Sequence, residues 1–316
     1  MVTTRVVDTF AAVRPTLSAI LTEQTARELL RADRMLTGLG HRVEYVVALD
    51  PAPCGFLPVY LGPDETQLGS VGTMPTWTAI RGPARTGTAQ ALFATGLARA
   101  AEGGATRVTA PLLHDDLVEG VRAAAAEAMP TARLALLPTH EGVIDVTFSS
   151  FDGYVDSLPA RQRMVRRQRR RFLESGLTVV DRNLSDACGE LAPLLYQVDA
   201  KYGDHRPVAE YETYLWNVGA SMGRHGRTLV ALEDGDPVAF SVIWDQGDGW
   251  RMRFWGCDYD RPVVREAYVY FNLVFYEPIT LAARSGAECV RFGTESLSTK
   301  QERGARLHPL TTAELT

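Results

Sequence analysis

Three runs, TLVALE, PVAFSVIW and WRMRFWGC, separated by Asp234-Gly235-Asp236 and by Asp248-Gly249, constrain the fold more than any other stretch. Each run is rich in β-branched and aromatic residues, and the Asp-Gly pairs supply the positive φ that tight hairpins demand. Together they predict a three-stranded antiparallel meander. Next comes AYVYFNLVFYEPITLAAR, Ala267 to Arg284, which is apolar nearly all round and predicts a largely buried helix. ECVRFGTE then predicts a further strand. A strand–helix–strand unit of this kind implies a parallel pair or a crossover beside an antiparallel sheet. The polar tail SLSTKQERGARLHP follows directly, where open α/β sheets hold ligands beyond the carboxyl ends of their strands.

The remaining segments fit around that unit. FDGYVDSLPARQRMVRRQRRRFLESG predicts a helix capped by Ser157 and ending at Gly176. LTVVDRN predicts a strand, CGELAPLLYQVDAKYG a helix with Pro193 in its first turns, and YETYLWNVGASMG another helix. Earlier in the chain, TEQTARELLRADRML predicts a helix capped by Thr22. HRVEYVVALD and CGFLPVYLG predict an antiparallel pair turned by Asp50, Pro51 and Pro53. TAQALFATGLARAAEGG reads as a helix stopped by Gly103-Gly104, TRVTAPLL as a strand, and HDDLVEGVRAAAAEAM as a helix stopped by Pro130. ARLALLP and GVIDVTF read as two more strands. Helices and strands recur in similar order in both halves, which predicts an α/β (α+β) protein with domains at 1–150 and 151–316.

Composition bears on partners and compartment. The 316 residues carry a formal net charge of −5, so affinity for a polyanion would have to come from a local patch. Apolar content of 46% is ordinary for a globular protein. The four cysteines, Cys54, Cys188, Cys257 and Cys289, show no CxxC and no zinc-like spacing to histidine, which predicts buried thiols and no metal site. The N-terminus lacks a basic region followed by an apolar core, and no run approaches the ~18 apolar residues of a membrane span. The expectation is a cytoplasmic protein of a GC-rich bacterium; monomer and dimer stay open.

Two constellations carry chemistry. Between Arg161 and Arg171 lie seven arginines and no acid. At 100° per residue Arg163, Arg166, Arg167 and Arg170 share one helix face, with Arg169 beside them; Met164, Val165, Gln168 and Phe172 share the opposite face. Like charges spaced i,i+4 repel, so such a face suits an anionic partner such as polyphosphate or an RNA backbone. A solvated face, or one neutralised by internal carboxylates, explains it as well. In the tail, Glu295 can take a proton from an attacking amine, and Lys300 and Arg303 can neutralise a developing oxyanion, with Gly304 allowing a tight turn. An ordinary surface loop with i,i+3 charge pairs is the bland alternative. Asp258 and Tyr270 are the next candidates for an acceptor pocket, joined by Tyr202 at a helix end. Cys257 has no histidine near it in sequence and reads as a small buried residue. His114-Asp115-Asp116 reads as a helix N-terminus with acids in its first turn.

With the basic helix, the meander, the aromatic helix and GTESLSTKQERGARLHP in hand, 151–309 resembles the GNAT superfamily and, more narrowly, its Fem-like branch of peptidoglycan interpeptide-bridge transferases and relatives in secondary metabolism. The resemblance implies tandem GNAT-like domains, each a mixed, largely antiparallel sheet flanked by helices, the first being the degenerate partner. It also implies an acyltransferase that forms an amide by moving an aminoacyl group from aminoacyl-tRNA to an amine on a cell-wall precursor or secondary metabolite, as in antibiotic biosynthesis. Glu295, Lys300 and Arg303 would then be catalytic, Asp258, Tyr270 and Tyr202 would bind substrate, and Arg163, Arg166, Arg167, Arg169 and Arg170 would hold tRNA, with no cofactor. One departure bears on the donor. Acetyl-CoA-dependent relatives carry R/Q-x-x-G-x-G/A between strand and helix, whereas DRPVVREAYVYF stands here with no glycine between Asp258 and Gly286. An acyl-CoA or acidic carrier-protein donor is the alternative within the enzyme class, and a noncatalytic RNA- or partner-binding module is the alternative outside it.

Overall fold

The computed structural model describes residues 2–17, 20–21, 25–26, 29–30, 33, 37, 41–62, 64–70, 78–80, 85–245 and 249–316. They form two units, Met1–His140 with Pro309–Thr316, and Glu141–His308. The sequence reading leaves 309–316 with the second half. Here they belong to the first, because Leu310, Ala313 and Leu315 are all buried and the last two join that unit's apolar cluster. The helix expected over TEQTARELLRADRML, with its Thr22 cap, lies largely outside the described residues, as does Asp248.

The first unit contains β1 (Thr3–Val7), α1 (Phe10–Leu17), β2 (Arg42–Leu49), β3 (Pro53–Leu61), β4 (Glu65–Leu68), β5 (Ala79–Ile80), α2 (Arg85–Glu102), β6 (Arg107–Leu113), α3 (Asp115–Ala128) and the start of β7 (Leu134–Asp145). Its strands run β1-β2-β3-β4-β6, followed by the C-terminal strand β13 (Arg306–Leu315); β5 pairs with β3. The β4–β6 pair is parallel. The pairs β1–β2, β2–β3, β3–β4 and β6–β13 are antiparallel. α2 and α3 pack against each other through small residues: a Cβ on Gly120 would meet Ala89 Cβ at 2.4 Å. The two strands expected at 132–138 and 142–148 are one, β7. Pro138 interrupts nothing, because it lies on an exposed part of the strand where a missing amide costs little.

The second unit adds α4 (Phe151–Asp156), α5 (Gln162–Leu173), β8 (Thr178–Arg182), α6 (Leu184–Lys201), α7 (Val208–Met222), β9 (Gly226–Glu233), β10 (Asp236–Asp245), β11 (Gly249–Cys257) and α8 (Pro262–Glu266). A long helix, α9, spans 269–285, followed by β12 (Cys289–Arg291) and α10 (Leu297–Gln301). The strand order is β7-β12-β11-β10-β9-β8. β9, β10 and β11 form the expected antiparallel meander, turning at Asp234 (φ 51°) and Gly235 (φ 95°). β11 and β12 are parallel neighbours, as a strand–helix–strand unit requires.

Three local expectations change. Ser157 does not open a helix; it ends α4, whose N-cap is Ser150, with Oγ accepting from the Gly153 amide at 3.1 Å. α6 begins at Leu184, capped by Asn183, so Pro193 sits inside the helix and not in its first turns. The aromatic helix is not continuous. α8 stops before Tyr268, which adopts a left-handed conformation (φ 55°). α9 then opens at Val269–Phe271, widens to a π-helix over Asn272–Tyr276 and resumes as Glu277–Ser285. Its burial matches expectation, with all of Asn272–Tyr276 buried.

Candidate active site

The second unit holds a cavity of about 750 Å³ beyond the carboxyl end of β11. Three walls build it, and each has a local cause. The first is the end of α6, which supplies Val198, Lys201 and Tyr202. α6 reaches the sheet because Gly256 has no side chain: a Cβ there would meet Leu195 N at 2.8 Å and Leu194 C at 2.9 Å.

The second wall is the turn after β11. Asp258 Oδ1 accepts from the Asp260 amide at 3.0 Å and from Gln197 Nε2 at 3.4 Å, while Gln197 Oε1 accepts from the Tyr259 amide at 3.0 Å. Arg261 is anchored to Glu233 at 3.2 Å, Asp236 at 3.6 Å and Asp258 at 3.7 Å. These contacts present Tyr259, Asp260 and Arg261 to the cavity. Asp258 itself is not among the lining residues; it shapes the turn.

The third wall is the helix break. Tyr268 lines the cavity, and so does Ser296, which has φ 50°. A non-glycine residue at positive φ is strained by roughly 1–3 kcal/mol and persists only where its surroundings over-determine it. Those surroundings are visible at Tyr268. Its carbonyl accepts from the buried Asn272 Nδ2 at 3.0 Å, Asn272 Oδ1 accepts from Arg169 Nη1 at 3.2 Å, and Arg169 pairs with Glu277 at 2.6 Å. Two strained residues meeting at one cavity, beside a π-helix, is the pattern expected of a functional site.

The cysteine of β11, Cys257, also lines the cavity, and burial pushes its thiol up to about 11. It is held as a neutral thiol at physiological pH, which fits the reading of a small buried residue. Burial likewise raises the phenols of Tyr259 and Tyr270, so both present O–H donors.

The residues singled out in the sequence fall in three places. Tyr202 and Tyr270 line the cavity. Glu295, Lys300 and Arg303 do not. Glu295 is exposed. Lys300 is buried and donates from Nζ to the Gly293 carbonyl at 2.8 Å. Burial depresses its pKa to about 8, against an opposing pull from Glu141 and Glu295. Arg303 is 1% exposed and lies behind the cavity wall, with its guanidinium 3.6 Å from the centre of the Phe271 ring and Nη1 donating to the Thr299 carbonyl at 2.9 Å. Both Phe271 and Thr299 face the cavity. The tail is therefore no exposed loop: Lys300 on α10 and Arg303 just past it are packed inside.

On α5 the cationic face is as expected, with Arg163, Arg166, Arg167 and Arg170 exposed and Val165, Gln168 and Phe172 buried. Arg169 is the exception, turned inward on Glu277 and Asn272. Arg166 is shared by Asp152 and Asp156, each at 3.0 Å. Arg167 does not itself line the cavity, but its guanidinium lies 5.9 Å from the centre of the ring of Tyr268, which does. Sequence reasoning missed Asp260, Arg261, Arg265 and Tyr268. The DYDR run beside Asp258 was the legible hint; the strain at Tyr268 left none.

The FemAB-like family, described by peptidoglycan biosynthesis and recognition, matches residues 137–314, more than half of the chain. The chain belongs to this family. A search of curated proteins gives no match. Among solved structures, this FemAB-like protein is similar to FemX, with TM-score 0.59 and 10% identity over 87% of this chain and 89% of that one. It is also similar to a tandem GNAT protein from the clavulanic acid biosynthesis pathway (TM-score 0.58, 13% identity, 99% and 98% covered). A third is the C-terminal domain of a putative lysylphosphatidylglycerol synthetase from Agrobacterium fabrum (TM-score 0.57, 13% identity, 83% and 81% covered). At these identities the likeness establishes the GNAT-type fold alone.

Proposed function

We propose that this FemAB-like protein joins an aminoacyl group, delivered by aminoacyl-tRNA, to the amine of an acceptor held in the 750 Å³ cavity. The carrying observation is Arg167. It belongs to the exposed cationic face of α5 and lies 5.9 Å from the ring centre of Tyr268, a lining residue, which supports a face for donor phosphates close to the cavity. The turn after β11 supports a donor other than acyl-CoA. Where a glycine loop would offer amides to a pyrophosphate, this turn carries Asp258, Asp260 and Pro262, and its Arg261 is already held by three carboxylates.

In the reaction, the amine nitrogen attacks the ester carbonyl carbon. A C–N amide bond forms, the ester C–O bond breaks, and the ribose hydroxyl leaves with the proton released by the amine. The ester is already activated, so positioning and charge stabilisation supply most of the acceleration. Asp260, an exposed carboxylate at the cavity, takes the place first given to Glu295 as proton acceptor or amine anchor. Arg303 acts as a positioning residue that holds Phe271 and Thr299.

The test is a panel of aminoacyl-tRNAs and an acyl-CoA series offered with candidate amines, read by mass spectrometry. An amide product that requires intact tRNA is expected. Product formation that survives ribonuclease treatment, or that needs acyl-CoA, overturns the reading.

A further inference from the structure

The charge and shape of the cavity specify more than an amine. Lys201 and Arg265 line it, and neither has a carboxylate partner among the described residues. Lys201 Nζ lies 4.6 Å from the centre of the Tyr259 ring, which orients the ammonium without neutralising it. The third cation, Arg261, is committed to Glu233, Asp236 and Asp258. Asp260 is the one carboxylate among the described lining residues. Two unspent positive charges against one negative leave the mouth cationic. The wall behind is aromatic: Trp255 meets Tyr270 edge-on at 5.3 Å, and Tyr270 meets Phe271 edge-on at 5.3 Å. All three rings line the cavity and offer apolar aromatic surface to a ligand. The phenols of Tyr259 and Tyr270, held protonated, add donors and no negative charge. The volume lies in the range of sites that enclose a small ligand.

We infer that the acceptor is a small anionic molecule with a flat apolar body. Its carboxylate or phosphate sits between Lys201 and Arg265, its ring lies against Trp255, Tyr270 and Phe271, and its amine is turned toward Asp260. The inference rests on reading the cavity as the acceptor side of the proposed transfer.

The test is calorimetry on the full chain with 3-phenylpropionate, phenyl phosphate and the neutral 3-phenylpropionamide. Each anion should bind at least about fivefold tighter than the amide, the factor expected for one charge pair near 4 Å in water. The stronger anion tells carboxylate from phosphate. K201Q/R265Q should erase the preference and K201R/R265K keep it, with melting temperatures confirming that both variants fold. Equal binding of acid and amide, no saturable binding of any probe, or a preference that survives K201Q/R265Q overturns the inference. Adenosine 5′-monophosphate displacing both anions would also overturn it, giving the cavity to the donor's 3′ end while leaving the transfer reading intact. Conversely, anion preference without product from any aminoacyl-tRNA upholds the ligand class and removes the transfer reading.

Discussion

Lys300 shows how far one residue can depart from the role its neighbours in sequence suggest. In a run as polar as STKQERG it reads as exposed, yet it is 4% accessible and packs so close to Gly142 that a Cβ there would lie 2.6 Å from its Cδ. Burial lowers its folded-state pKa from 10.5 to about 8. Below pH 8 the folded protein carries the cost of a buried ammonium. Between about pH 8 and 10.5 the unfolded chain binds a proton that the folded chain has released, so stability rises with pH across that window. Relative to Lys300→Met, the wild type should gain on the order of 1–3 kcal/mol between pH 7.5 and 10, measured by urea unfolding. A difference between the two proteins that stays flat with pH would show that the ammonium is not buried.

At the scale of elements, α5 was legible and the break before α9 was not. A helix wheel alone separates Arg163, Arg166, Arg167 and Arg170 from Val165, Gln168 and Phe172, and the structure keeps that division. If the exposed face holds RNA phosphates, replacing Arg163, Arg167 and Arg170 by alanine should weaken tRNA binding and flatten its salt dependence. The slope of log K against log salt should fall by about 2 to 3, at roughly 0.7 to 0.9 per lost contact. Filter binding across a salt series measures this, and an unchanged slope would assign the arginines to solvent. The break before α9 has no such signature. AYVYFNLVFYEPITLAAR contains nothing before Pro278 that stops a helix, and the left-handed Tyr268 is held by Asn272 and Arg169, partners distant in sequence or unmarked by type.

At the scale of the whole molecule, the alternation of apolar and turn residues made the α/β class and the meander legible, because strand and helix periods are properties of neighbouring residues. The unit boundaries were less so. The C-terminal strand β13 adds Leu310, Ala313 and Leu315 to buried positions of the first unit. Deleting 309–316 should cost that unit roughly 3 to 6 kcal/mol from its two leucines alone. Hydrogen exchange should then show lost protection of the β6 amides, whose partner strand is gone. Unchanged β6 protection would mean that the strand is dispensable.

The sequence by itself determined the element types, the buried character of the aromatic helix, the cationic face of α5 and the missing glycine loop after β11, since each is written in spacing a few residues long. Only the tertiary structure decided that Lys300 and Arg303 lie behind the site, that Arg169 turns inward, and that Lys201, Asp260 and Arg265 share one cavity with Tyr268. Those outcomes depend on which elements pack together and how closely, and a close approach such as that of α6 to Gly256 is set by shape across the fold, not by any local pattern.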